Sequence, residues 1–227
     1  LKNPPVGKDL LRWKYQRYVK EYCRTIRSVD EQVGRLLDYL EEKGVLDNTV
    51  IVYTSDQGFL LGEHGLYDKR FMYEESFRTP LIISCPSLVK KHSVCKELVQ
   101  NIDLAPTFLS LAGVEVPKEM SGRSLLPLFK NGKAENWRNE LYYHFYDYPA
   151  VGSVRKHDGI RTKRYKLIHW HGEGSGNDEA IDFWELYDLK KDVMEVNNVY
   201  DNPKYVKVRE ALTVQLEKLR KDVGVTE

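Results

Sequence analysis

The sequence predicts an α/β protein. A mostly parallel sheet with flanking helices is expected over residues 1–130, and a small α+β subdomain with an antiparallel sheet over residues 131–227. Three observations carry this reading. Val50-Ile51-Val52-Tyr53 is an apolar, β-branched run of the kind that forms a strand buried on both faces. A long helical periodicity precedes it, so helix leads into strand as in a crossover unit. Beyond residue 140 the pattern turns to aromatic-rich strand segments lying close in sequence, which favours antiparallel hairpins.

The elements follow in order. Leu1–Lys8, with Pro4, Pro5 and Gly7, reads as an irregular lead-in, and Asp9 as the N-cap of a helix reaching Lys43. Tyr22, Ile26, Val29, Val33, Leu36, Leu37 and Leu40 recur at three- and four-residue steps and form one apolar stripe. Arg24, Arg27, Glu31, Arg35, Asp38 and Glu42 take the other side, as a solvated face does. Gly44 ends the helix, and the Val50–Tyr53 strand follows. Phe71–Phe77 suits a short helix, Leu81–Ser84 a second strand and Val94–Val99 a third. Asp103 caps a helix through Leu111, with Pro106 tolerated in its first turns. Asn131-Gly132 marks a turn inside the polar stretch 130–139, where the subdomain boundary falls. Strands are then expected at Glu140–Tyr146, His157–Thr162, Lys163–Trp170 and Trp184–Leu189, with a flexible loop at Gly172–Asp178. Pro203 opens a last amphipathic helix carrying Val206, Leu212, Leu216 and Leu219.

Composition narrows the function classes. A chain of 227 residues with 41% hydrophobic content is large enough to bury a core. A net charge of +1 gives no footing for nucleic acid or an anionic membrane. No run is long enough to cross a bilayer, and no signal pattern stands at the N-terminus. Cys23, Cys85 and Cys95 are scattered and odd in number, with no CxxC or Cys/His spacing, which argues against a disulfide framework and against zinc.

The chemistry concentrates in Tyr53-Thr-Ser-Asp-Gln-Gly-Phe-Leu-Leu-Gly-Glu-His-Gly-Leu-Tyr-Asp-Lys69. Ligand sites in open α/β sheets form just beyond the carboxyl ends of strands, and Asp56 and Gln57 stand at that point. A carboxylate beside an amide suits a hard cation such as calcium, although a plain turn uses the same residues. Gly58, Gly62 and Gly65 let the backbone turn sharply and approach a ligand closely.

Thr54-Ser-Asp-Gln-Gly58, Gly62-Glu-His-Gly65 and Lys69 resemble the downstream active-site segment of the type I sulfatases. The likeness continues through Phe71–Pro80, Asp103-Leu-Ala-Pro-Thr107 and Glu185-Leu-Tyr-Asp-Leu189, in family order across nearly the whole chain. It is strongest to carbohydrate sulfatases acting on 6-sulfated N-acetylglucosamine, and it implies the alkaline phosphatase/sulfatase-like fold. By resemblance Asp56 and Gln57 are metal ligands for calcium, and Lys69 reaches the sulfate oxygens, where a fixed ammonium stabilises developing charge. Gln57 keeps the amide oxygen of the more common Asn; a His there would suit the two-zinc phosphatases instead. His64 lines the site or bonds the loop backbone. His157 and Arg161 lie in a stretch that resembles one over the active site and are expected to contact the sugar. His144, His169 and His171 read as half-buried sheet residues. Glu74, Glu75 and Arg78 read as an ion-paired brace beneath the loop.

The family nucleophile is a formylglycine made from Cys or Ser in a Cys/Ser-x-Pro/Ala-x-Arg segment. Cys85-Pro-Ser-Leu88 lacks its arginine and has the wrong order. The resemblance therefore implies the C-terminal part of a sulfatase, inactive by itself, with calcium weak or absent and the missing N-terminal part as its partner. It also implies a periplasmic or secreted protein. Two alternatives stand beside it: a metal-dependent phosphatase or phosphotransferase of the alkaline phosphatase superfamily, and a non-catalytic module that binds sulfated sugar.

Overall fold

The computed structural model describes residues 5–149, 153–174 and 179–225. It opens with helix α1 (Gly7–Glu42), capped by the extended backbone of Val6 rather than by Asp9, which lies in its first turn. The apolar stripe forms as the spacing predicts, but none of the helix's residues is buried. Val33, Leu37 and Leu40 are half-buried, while Ile26, Val29 and Leu36 are exposed. Its ring contacts are Tyr18 edge-on to Tyr67 and Tyr22 stacked on Phe59, so it leans on the glycine-rich loop.

Strand β1 (Ile51–Thr54) pairs with β4 (Leu81–Ser84), from Ile51 opposite Ser84 to Thr54 opposite Leu81. The pair is antiparallel, which corrects the parallel pairing expected for these two segments. Between them the chain doubles back through a two-residue ribbon, β2 (Leu60–Leu61) with β3 (Tyr67–Asp68), and a one-turn helix α2 (Glu74–Phe77). That path returns the chain beside β1 in the opposite direction without a crossover helix, and a parallel return needs one.

Val94–Val99 forms no strand. Leu98 is nevertheless buried, and its carbonyl accepts the Trp137 indole N–H at 2.8 Å. Helix α3 (Leu104–Leu111) follows Asp103 as expected, yet the Asp103 carboxylate does not cap it. Fully buried, it accepts the N–H groups of Gln100 and Arg123, each at 2.8 Å, and pairs with both terminal nitrogens of Arg138. This node ties together three segments distant in sequence, at Gln100, Arg123 and Arg138. Helix α4 (Leu126–Phe129) closes the first half.

The second half is a four-stranded antiparallel meander, β5 (Glu140–Phe145), β6 (His157–Thr162), β7 (Tyr165–Gly172) and β8 (Ile181–Asp188), in that spatial order. The predicted loop at Gly172–Asp178 lies partly outside the described residues, at 175–178. Helix α5 (Val206–Asp222) follows a single 3-10 turn opened by Pro203. Side chains alternate across the meander. Ile160, Leu167 and Leu186 face α5 and pack on Leu212 and Leu216. Ile168, Trp170 and Tyr187 face the other way and enclose Met72 from the loop that precedes α2. The meander is thus covered on both faces, by the last helix and by the loop that carries the candidate site.

Candidate active site

The turn after β1 is anchored on three sides. Thr54 Oγ1 donates to Pro80 O at 2.8 Å, and Ser55 Oγ donates to Gln57 O at 2.8 Å. Asn101 Nδ2 donates to Asp56 O at 2.6 Å. The amides of Gly58 and Phe59 donate to Ser76 O and Glu75 O at 2.8 and 2.7 Å. A Cβ at Gly58 would collide with the Glu75 carbonyl oxygen, so only glycine allows this approach. The result is an exposed Asp56 carboxylate beside a half-buried Gln57 amide, both opening on one cleft of about 1070 Å³. Arg70, Arg78, Asn101 and Arg161 also line that cleft.

Past Gly58 the backbone is held in unusual conformations. Gly62 has φ 123°, His64 has φ 55°, Asp68 has φ 78° and Arg70 has φ 90°. The His64 ring stacks on Tyr73 with centroids 4.3 Å apart, and its Nε2 lies 3.5 Å from Glu75 Oε2. It supports the loop rather than lining the cleft. Lys69 is half-exposed, with Nζ 3.6 Å from Asp68 Oδ1. Arg70 bonds the other oxygen of Asp68 at 2.5 Å and holds that carboxyl below its usual range.

The cleft therefore brings Asp56, Gln57 and Arg161 together, while Lys69 sits on the loop beside it. His157 is a correction: it is fully buried, stacked on Trp170 at 4.2 Å, with Nδ1–H donating to Arg155 O at 2.8 Å. Burial pushes its pKa down to about 4, so it is a neutral core imidazole out of reach of a sugar. Of the expected brace, Glu74 holds Arg161 Nη2 at 3.2 Å and Lys166 Nζ at 2.9 Å, and Glu75 faces His64.

Sequence reasoning missed two buried charge clusters. One joins Lys166, Glu74 and Glu195 behind the loop. The other sits under α5, where Arg220 Nε and Nη2 take both oxygens of Asp158 at 2.6 and 2.7 Å. His171 Nε2 lies 3.4 Å from the same carboxylate. Arg220 also donates to His169 Nδ1 at 3.0 Å, which places the His169 proton on Nε2, toward Asp182 at 2.8 Å. Asp158, His169 and His171 have ligand atoms within 4.8 Å of one another, but the guanidinium already neutralises the carboxylate, and the set works as an ion-paired clasp. The available signal was alternation. Lys166 shares a strand face with Ile168 and Trp170, and a lysine on a buried face requires carboxylate partners.

The fold and the cleft define a class, and comparison with known proteins agrees. The family model described as "N-sulphoglucosamine sulphohydrolase, C-terminal" matches residues 62–222, and the sulfatase model matches residues 3–114. The chain belongs to the sulfatase family, with the alkaline phosphatase-like fold of its solved members. Among its relatives, the N-acetylglucosamine-6-O-sulfatase of Bacteroides thetaiotaomicron is 52% identical over 95% of this chain and 38% of the relative. The multifunctional alkaline phosphatase superfamily protein PehA of Trinickia caryophylli is 35% identical over 81% of this chain and 36% of its own length. The structure of BT4656 in complex with its substrate D-glucosamine-2-N,6-O-disulfate superposes with a TM-score of 0.91 at 50% identity, covering 98% of this chain and 44% of that one. The chain thus spans less than half the length of each of these relatives. Sulfatases use a metal ion. No helix among the described residues is long and apolar enough to cross a membrane.

Proposed function

We propose that this chain works within a sulfuric ester hydrolase that removes the 6-O-sulfate of N-acetylglucosamine in a mucin or glycosaminoglycan. The observation that carries the reading is the Asp56–Gln57 pair, fixed at the carboxyl end of β1 and open to the cleft that also holds Arg161. The 52% identity to an N-acetylglucosamine-6-O-sulfatase supports the choice of sugar.

The donor set fits calcium as far as it goes. One carboxylate and one amide oxygen are hard ligands, and no cation pairs with Asp56 among the described residues. When bound, calcium supplies positive charge against the sulfate oxygens. Asp56 and Gln57 would hold it. Lys69 directs an ammonium at the same oxygens, and its loose 3.6 Å contact with Asp68 leaves it free to turn toward substrate. Arg161 presents a guanidinium, already oriented by Glu74, to the sugar at the cleft wall. The nucleophile is a formylglycine supplied by sequence outside these 227 residues, and export to the periplasm or cell exterior follows from the substrate.

The test uses the protein at its native length. Wild type should hydrolyse 6-sulfated N-acetylglucosamine in preference to a 2-sulfated uronic acid, and Asp56→Ala should lose both calcium binding and activity. Activity near wild type in that variant would refute the metal assignment. The 227-residue chain by itself should show no turnover of an aryl sulfate. The similarity to PehA makes an alkaline phosphatase superfamily phosphatase the second reading, and preference for an aryl phosphate over every sulfate ester would establish it.

A further inference from the structure

The loop that carries Lys69 is tied to the C-terminal sheet by side chains that reach its backbone. Tyr143 OH, on β5, donates to Arg70 O at 2.7 Å. Lys166, on β7, is fully buried, and its Nζ donates to Met72 O at 2.6 Å. Glu195, in the turn after β8, accepts the Glu74 N–H on Oε2 at 2.6 Å. Three backbone groups within five residues of Lys69 thus end on side chains from the other half of the molecule.

Lys166 and Glu195 are the unexpected pair. Nζ of Lys166 lies 2.7 Å from Glu195 Oε1 and 2.9 Å from Glu74 Oε1, and both Lys166 and Glu195 are shut off from solvent. Glu195 adopts φ 50°, a left-handed conformation that a non-glycine residue keeps only when its surroundings enforce it. Burying such charges is costly, and a well-packed apolar set often gives equal or greater stability. What the charged set adds is direction. An ammonium aimed at one carbonyl and a carboxylate aimed at one amide hold a backbone segment in one place, which a methionine or leucine cannot do.

We propose that Lys166 and Glu195 are positioning residues for the sulfatase site. They fix the backbone at Met72 and Glu74, and through it the path of Asp68–Arg70 and the aim of Lys69. Glu74 links them to the cleft, because its second oxygen orients Arg161. The C-terminal sheet then sets the geometry of both cations that face substrate, without touching substrate itself at Lys166 or Glu195. This deepens the functional reading above and rests on it for the role of Lys69.

Two measurements on the native-length protein test it. In Lys166→Met, kcat on 6-sulfated N-acetylglucosamine should fall about 100-fold, the scale of a misplaced catalytic group. KM should change far less than kcat, because Glu74 Oε2 still holds Arg161, the sugar contact, when Lys166 is removed. Hydrogen exchange should quicken at the amides of Gly58, Phe59 and Glu74, while those pairing β6 with β7 keep wild-type protection. Glu195→Gln keeps the side chain's shape and its bond to the Glu74 amide, so it should retain more activity than Lys166→Met. If Lys166→Met loosens the sheet as well, Glu195→Ala is read by the same two measurements. A kcat within twofold of wild type in both Lys166→Met and Glu195→Ala would overturn the proposal. So would protection lost equally from loop and sheet in both, which is a purely structural role. A wild-type protein without sulfatase activity would defeat the functional reading instead, and the exchange pattern would still judge the positioning.

Discussion

The two faces of the C-terminal sheet are built on different physics. The face toward α5 is an apolar seam, Ile160, Leu167 and Leu186 on Leu212 and Leu216, closed at one end by the Asp158–Arg220 clasp. The face toward the site loop has an apolar patch of its own around Met72, but charged and hydroxyl side chains dominate its contacts with the loop backbone. An apolar seam tolerates small slides of helix over sheet, because dispersion and burial have no preferred direction. A carbonyl held by a buried ammonium does not slide. The helix face therefore serves stability, and the loop face serves position.

Four experiments press on that contrast, and the first has the largest expected effect. Asp158→Ala removes the buried carboxylate of the clasp and leaves the largely buried Arg220 guanidinium only the half-exposed Glu217 as ion partner, and denaturant unfolding should show a loss of about 3–5 kcal/mol. A loss below about 1 kcal/mol would mean that the clasp is solvated and incidental. Leu216→Ala, at a fully buried position of the seam, should cost about 3 kcal/mol and leave the loop amides as protected, relative to the whole, as before.

The third experiment is a pH titration on the loop face. His157 has a folded-state pKa of about 4 against an ordinary 6.5, because burial disfavours its charged form. Its unfolded form binds the extra proton between those two values, so stability should fall as pH drops from about 6.5 toward 4. The loss is up to about 3 kcal/mol and levels off below that range. His157→Phe, which preserves the ring contact with Trp170, should flatten this slope; an unchanged slope would place the titrating group elsewhere. The smallest effect belongs to Tyr73→Phe, which removes a hydroxyl 3.2 Å from both Glu185 oxygens. Global stability should change by about 1 kcal/mol or less, yet exchange around Tyr73 should quicken. If Tyr73→Phe moved stability as much as Leu216→Ala, the division of labour between the faces would fail.

Local pattern alone determined much of this protein. The stripe of α1, the strand at Ile51–Thr54, helix α3 after Asp103 and the strands of the meander all follow from period, turn residues and caps, which act within a few residues. The segment proposed as the site was legible in another way, as a contiguous stretch holding Asp56, Gln57, Gly58 and Lys69 that resembles a family segment. Tertiary structure decided the rest. Whether β4 returns parallel or antiparallel to β1 depends on the path of the 26 residues between Thr54 and Leu81, and neither strand's pattern encodes that path. Nor does periodicity show which strand face a loop will cover. His157 therefore read as a surface contact and proved to be core, while Lys166 and Glu195 drew no attention until the fold set them against Met72 and Glu74. A buried charge takes its meaning from partners distant in sequence, and only the folded chain brings those partners together.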